Sequence, residues 1–143
     1  MKQQRMSRRA FLNAGGDAAK GSCIILTMPM ILAACDQAND ARMKNSDFQL
    51  LSEEEVLEYS AISARIIPSN DTPGATEAGV IYFIDTVFAH NREGEHQIFK
   101  EGLATLQSEG AAQFGVASLY LLNEEQQDQL LRQIESSEFF NTI

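Results

Sequence analysis

Two sets of residues in this chain have types and spacing suited to chemistry. One is a cysteine preceded by small residues, and the other is a scatter of carboxylates and histidines between residues 71 and 96. Leu32-Ala33-Ala34-Cys35 closes an apolar run that begins at Ile24. Small side chains let a signal peptidase approach the backbone, and cleavage before Cys35 would free a thiol and an amine for acylation, as at a bacterial lipobox. The competing reading is a plain Ala-x-Ala-like cleavage site with a bystander cysteine. Asp71 has the chemistry of a cation ligand or a base. Within Pro68-Ser69-Asn70-Asp71-Thr72-Pro73-Gly74 it reads better as an Asx-turn or capping residue. His90 and His96 flank Arg92, Glu93 and Glu95, but their spacing is wrong for one helix face, so both read as solvated. Asp85 reads as a solvated or partner-facing carboxylate on a helix flank. Tyr82, Phe83 and Phe88 read as core and interface. There is no Gly-x-Gly-x-x-Gly fingerprint and no phosphate loop. The expectation is a chain with no catalytic, cofactor-binding or metal site of its own.

The first 34 residues set the address. Ser7-Arg8-Arg9-Ala10-Phe11-Leu12 places two arginines before a Phe-Leu step, with Lys2 and Arg5 adding positive charge. The following stretch is weakly apolar and interrupted by Gly15, Gly16, Asp17 and Lys20. That pattern suits twin-arginine export, which carries folded proteins; the competing reading is an ordinary secretory signal with a chance Arg-Arg pair. A transmembrane helix needs about 20 apolar residues, whereas the run from Ile24 to Ala34 is short and contains Pro29. Asp36 after the cysteine favours the periplasmic side of the inner membrane over the outer membrane. Several acyl chains on Cys35 would anchor stably where one chain would not.

Charge divides at the same place. Residues 1–34 hold five basic residues against one acidic, a net of +4, and residues 36–143 hold six against 19, a net of −13. So acidic a domain does not bind nucleic acid or anionic headgroups by charge. Membrane contact must come through the anchor or a partner. Cys23 and Cys35 are the only cysteines, and neither lies beyond residue 35. That excludes a disulfide framework, a cysteine zinc site and a haem-attachment motif in the domain itself.

The elements that must position these residues read as helices. Residues 35–47 are small and polar and predict a flexible tether, with the domain over 48–143. Ser52-Glu53-Glu54-Glu55 is a capping box with Leu51 and Val56 at the staple positions. Val56, Tyr59, Ser63, Ile66 and Ile67 then form an apolar stripe ending at Pro68. Thr72 before Pro73 is a candidate N-cap for a helix from about Ala75 to His90, striped by Val80, Phe83, Ile84, Val87 and Phe88. A third helix is predicted over about Glu95–Gly110 with Phe99, Leu103 and Leu106 inward. After a short segment with Phe114, Leu119, Leu121 and Leu122, Asn123-x-x-Gln126 opens a helix through Leu130, Leu131 and Ile134. Ser136-Ser137-Glu138-Phe139-Phe140 reads as a helical stub whose apolar pair needs a cover. The predicted class is all-α: about four helices plus the stub.

With those helices placed, the chain resembles the gluconate 2-dehydrogenase subunit 3 family, the small subunit of membrane-bound flavin dehydrogenase complexes. The resemblance rests on the twin-arginine signal and on Ile66-Ile67-Pro68, Asp71-Thr72-Pro73-Gly74-Ala75, Glu77, Gly79, Phe83 and Asp85. It continues in Leu122-Asn123-Glu124-Glu125-Gln126-Gln127 and Phe139-Phe140. Members usually run on past the Phe-Phe step into another helix. This sequence ends at Ile143, so a C-terminally short member with less partner-binding surface is expected. The resemblance implies a non-catalytic subunit that escorts and stabilises an FAD-dependent large subunit oxidising a sugar, sugar acid or polyol. A cytochrome c subunit carrying haem c would pass electrons onward. A stand-alone exported lipoprotein that binds an envelope ligand is the competing class; it predicts a closed polar surface, where a subunit predicts exposed apolar side chains.

Overall fold

A computed structural model of the chain describes residues 27–90 and 93–135. These residues form six α-helices and one 3-10 turn, and no strand occurs among them. The helices are α1 (Met28–Lys44), α2 (Glu53–Ile66), α3 (Ala75–Ala78), α4 (Val80–Ala89), α5 (Glu93–Phe114) and α6 (Glu124–Ile134), with the 3-10 turn at Leu119–Leu121. The all-α class predicted above is the observed one. Arg8, Arg9, Phe11 and Leu12 of the export signal, and the stub at 136–143, lie outside the described residues.

Local chemistry starts two of the helices as expected. Ser52 Oγ accepts from the Glu55 N–H at 3.2 Å, and Glu55 Oε2 accepts from the Ser52 N–H at 2.9 Å. Asn123 and Gln126 make the same reciprocal pair at 3.0 and 3.1 Å and open α6. Each box satisfies amides that the first helical turn leaves unpaired. On α5, Phe99, Leu103 and Leu106 are all buried, as their spacing predicts. The helix runs past Gly110 to Phe114, because packing outweighs the roughly 1 kcal/mol that a glycine costs a helix interior. Leu119 of the 3-10 turn and Leu122, which caps it, join Tyr59, Ile62, Phe88, Leu130 and Leu131 in one core. Each such side chain contributes about 1.5–3 kcal/mol on burial. Phe99 sits edge-on to Tyr59 and Phe88, with ring centroids 5.7 and 4.9 Å apart.

Three expectations are corrected. Residues 36–44 are not a flexible tether: they complete α1, a helix that begins before Cys35 and packs along α4. Pro29 falls in the first turn, where its missing N–H costs no hydrogen bond. The helix predicted from Ala75 to His90 is broken at Gly79, which adopts φ 69° and lets α4 leave α3 at a new angle. Its N-cap is Gly74, not Thr72. The inward face of α2 is also rotated: Glu58, Tyr59 and Ile62 are buried, whereas Ile66 and Ile67 are 40% and 53% exposed. Six helices are seen rather than about four because α1 carries little apolar periodicity and Gly79 splits the helix read over 75–90 in two.

Candidate functional site

The motif loop and the helix that follows it hold most of the residues singled out in the sequence. The loop closes on its own backbone. Asn70 Oδ1 accepts from the Thr72 N–H at 3.0 Å and from its hydroxyl at 3.1 Å. Asn70, rather than Asp71, is therefore the residue making the Asx contact; Asp71, Thr72 and Pro73 are exposed. Gly74 is buried where the chain doubles back: a Cβ there would lie 2.5 Å from the Ser69 nitrogen and 2.6 Å from the Ile67 carbonyl oxygen. Only glycine permits that approach. Ala75, 3% exposed, donates its N–H to the same Ile67 oxygen at 2.9 Å.

Glu77 ties the loop to the helix start. Its Oε2 accepts from the Ser69 hydroxyl and, at 3.0 Å, from the Gly74 N–H. The Ser69 hydrogen bond foremost holds its carboxyl below the usual glutamate range. The Glu77 carbonyl accepts from Arg42 Nη1 at 2.6 Å, and Asn39 Oδ1 accepts from Nη2 of the same guanidinium at 3.1 Å. The Arg42 stem lies across Gly79, where a Cβ would come within 2.3 Å of Arg42 Cδ. So α1 is fastened to the motif at Glu77 and Gly79, where α3 turns into α4.

Asp85 is buried, 3% exposed, and is not the solvated or partner-facing carboxylate expected. Its Oδ2 accepts from the Gln49 N–H at 2.8 Å, and its Oδ1 accepts from the Leu50 and Leu51 N–H groups at 2.9 and 3.0 Å. It gathers the three amides that lead into α2. Phe83, half-buried, lies in the crevice between α1 and α4 with Cys35, Ala38 and Val80. Cys35 is exposed on α1.

A second buried carboxylate escaped the sequence. Glu58 is 0% exposed; Oε2 accepts from the Leu119 and Tyr120 N–H groups at 2.9 and 3.3 Å, and Oε1 accepts from Gln107 at 3.0 Å. Gln127, also buried, donates to the Leu119 and Leu122 carbonyls at 3.0 Å. Glu58 and Gln127 thus serve opposite polarities of one 3-10 segment. The available signal was position: Glu58 lies beside Tyr59 and one turn before Ile62 on the inward face.

His96 is likewise not a solvated residue. Its Nε2 lies 2.7 Å from Glu55 Oε1, both side chains are 13% exposed, and its ring stacks on Phe88 at 5.2 Å. Burial pushes the Glu55 carboxyl up, but hydrogen bonds from the Ser52 amide, His96 and the Ser52 hydroxyl outweigh it and leave the group below the ordinary value of 4.5. His90 stays exposed, with Nδ1 2.7 Å from the Thr86 carbonyl. Arg65 clamps α2 to α6: Nε and Nη2 donate to Asp128 at 2.7 and 3.0 Å, and Nη1 lies 2.8 Å from Glu124.

Among the described residues, no group of three or more His, Cys, Asp or Glu side chains could hold a metal ion. No described helix is long and apolar enough to cross a membrane. The carboxylates best buried for acid–base work, Glu58 and Asp85, are occupied by backbone amides. Outward, Leu57, Ile66, Ile67 and Leu121 are between 40% and 64% exposed.

These features define a small all-α domain organised around carboxylates that fasten its own backbone. A family model for gluconate 2-dehydrogenase subunit 3 matches residues 53–142, more than half of the chain, and the chain belongs to that family. Comparison with curated proteins and with solved structures finds no match.

Proposed function

We propose that this chain is the non-catalytic small subunit of a membrane-associated, FAD-dependent dehydrogenase of sugars, sugar acids or polyols. Its task is to stabilise the flavoprotein and escort it, folded, through the twin-arginine route to the periplasmic side of the inner membrane. Family membership supports the coarse statement, since the family is named as a subunit of a dehydrogenase. The observation that carries the finer reading is that Leu57, Ile66, Ile67 and Leu121 are each left exposed on a body whose buried carboxylates are held by its own amides. Large apolar side chains left in water favour a covering partner over a closed surface. FAD belongs to that partner in this reading, and haem c to a cytochrome c subunit that takes the electrons. The lipid on Cys35 supplies the membrane attachment.

Tagged protein drawn from its native membrane in mild detergent should bring down a stoichiometric flavoprotein with the absorbance of oxidised FAD. Recovery of a lone, colourless monomer would overturn the subunit reading.

A further inference from the structure

Helix α1 runs unbroken through Ala34-Cys35, the bond that lipoprotein processing would cut. Its two halves are held differently. Beyond Cys35, Ala38 is buried, Arg42 bonds the Glu77 carbonyl, and the Ser46 N–H returns to the Ala41 carbonyl at 3.0 Å. Before Cys35 no described residue is buried, and Met28, Met30 and Leu32 are 68%, 42% and 60% exposed. This loosely held half nonetheless walls a mostly apolar groove of about 140 Å³: Met30, Ala33 and Ala34, with Gln37 beyond Cys35, face Thr86 and Val87 of α4 and His90 at its C-cap. Thr86 is 1% exposed, and its hydroxyl has no hydrogen-bond partner among the described residues. A threonine inside a helix commonly bonds the carbonyl one turn back, and a buried polar group without a partner is costly. The segment now lying there covers the groove without completing it.

We propose that residues 28–34 are a removable cover, and that processing before Cys35 opens the Thr86–Val87–His90 face of α4 to a helix of a complex component met after export. The inference rests on the lipoprotein processing proposed above. The chemistry of the incoming helix is read from the cover: small apolar residues at the contact, as Ala33 and Ala34 are, with one polar group for the Thr86 hydroxyl. The cut removes little that fastens α1, because Ala38, Arg42 and the C-terminal turn all lie beyond it. Assembly thereby acquires an order. The escorted flavoprotein docks on the body while the cover is in place, and the second component docks once it has gone.

The test places a photo-crosslinking residue at the exposed His90 (His90→p-benzoylphenylalanine) in the full chain, in native membranes, beside the same variant carrying Cys35→Ser to block processing. Intact mass reports whether residues 28–34 remain. Amide exchange over residues 83–90 of the unsubstituted chain supplies a readout independent of the probe. The expected result is a crosslink to residues 28–34 in the unprocessed chain and to a helix of another complex component in the processed one. Exchange over 83–90 should be at least tenfold faster after processing when that component is stripped away. If the native protein retains residues 28–34, the processing reading fails. If they are gone and the probe reports an acyl chain, a second copy or nothing, or exchange is unchanged, the cover is overturned while processing stands.

Discussion

The body over residues 53–135 and the segment over residues 28–51 meet on the same helix, α4, but are held by opposite means. The body uses polar side chains that each hold several partners: buried Glu58 on three N–H donors, buried Gln127 on two carbonyls, and half-buried Arg65 forked onto Asp128. The leading segment contributes mostly small residues and bare backbone. Ala38 is its one buried residue on α1, and its amides at Gln49, Leu50 and Leu51 are gathered by Asp85, which belongs to the body. The family match begins at residue 53, yet the body supplies the grip for the 25 residues before it. Specificity of the join therefore resides in α4 and the motif corner, and the leading segment follows their shape.

The sharpest way to break this contrast is Glu58→Ala. It strands the Leu119 and Tyr120 amides and the half-buried Gln107 amide, and a loss of about 3–5 kcal/mol is expected, a large share of the roughly 5–15 kcal/mol that holds a domain folded. A denaturant melt should show one cooperative transition at a much lower midpoint; a loss below about 1 kcal/mol would show that water replaces the carboxylate freely. Asp85→Asn should act on the join instead. It turns one acceptor into a donor facing a backbone N–H, at a cost of about 2 kcal/mol, with amide exchange accelerating first at residues 49–51. Equal acceleration throughout the body would erase the distinction between the two regions. The smallest effect is in pH. The Glu55 carboxyl titrates below its ordinary value of 4.5 in the folded chain, so its contribution is present above that value and fades as pH falls through the folded value. Against Glu55→Gln, which keeps the capping box, the native chain should be more stable by under about 1 kcal/mol at pH 6, with the gap narrowing as the pH is taken below 4.5.

What could be read in the sequence was local. The boxes at Ser52 and Asn123 are contacts between residues three apart, and the stripe on α5 is a periodicity within one helix, so both were visible. The burial of Glu58 depends on amides 61 and 62 residues away, and that of Asp85 on amides 34 to 36 residues away. Neither residue type announces such a role, because an acidic side chain on a helix usually faces water. The stripe on α4 misled for a related reason. Of the predicted stripe, Val87 and Phe88 are buried as read, but Val80, Phe83 and Ile84 are only half-buried, while Asp85 and Thr86, outside the stripe, are buried because the helix lies between α1 and the body. Helix α1 was hidden because alanine-rich, polar residues look like linker until a groove is supplied. The break at Gly79 was hidden because a glycine within a strong apolar pattern reads as a tolerated helix residue.

The continuity of α1 changes the mechanics of attachment. Twelve flexible residues would let the domain wander about 20 Å from its lipid and turn freely. With residues 35–44 helical and laid along α4, that slack is gone, and an acylated Cys35 would act as a hinge pin set in the edge of the domain. The α1–α4 edge would be pressed to the bilayer, and rotation about the membrane normal would be the main freedom left. A partner in the same membrane would then search for its site in two dimensions and nearly one orientation, which raises the frequency of productive encounters without any added contact.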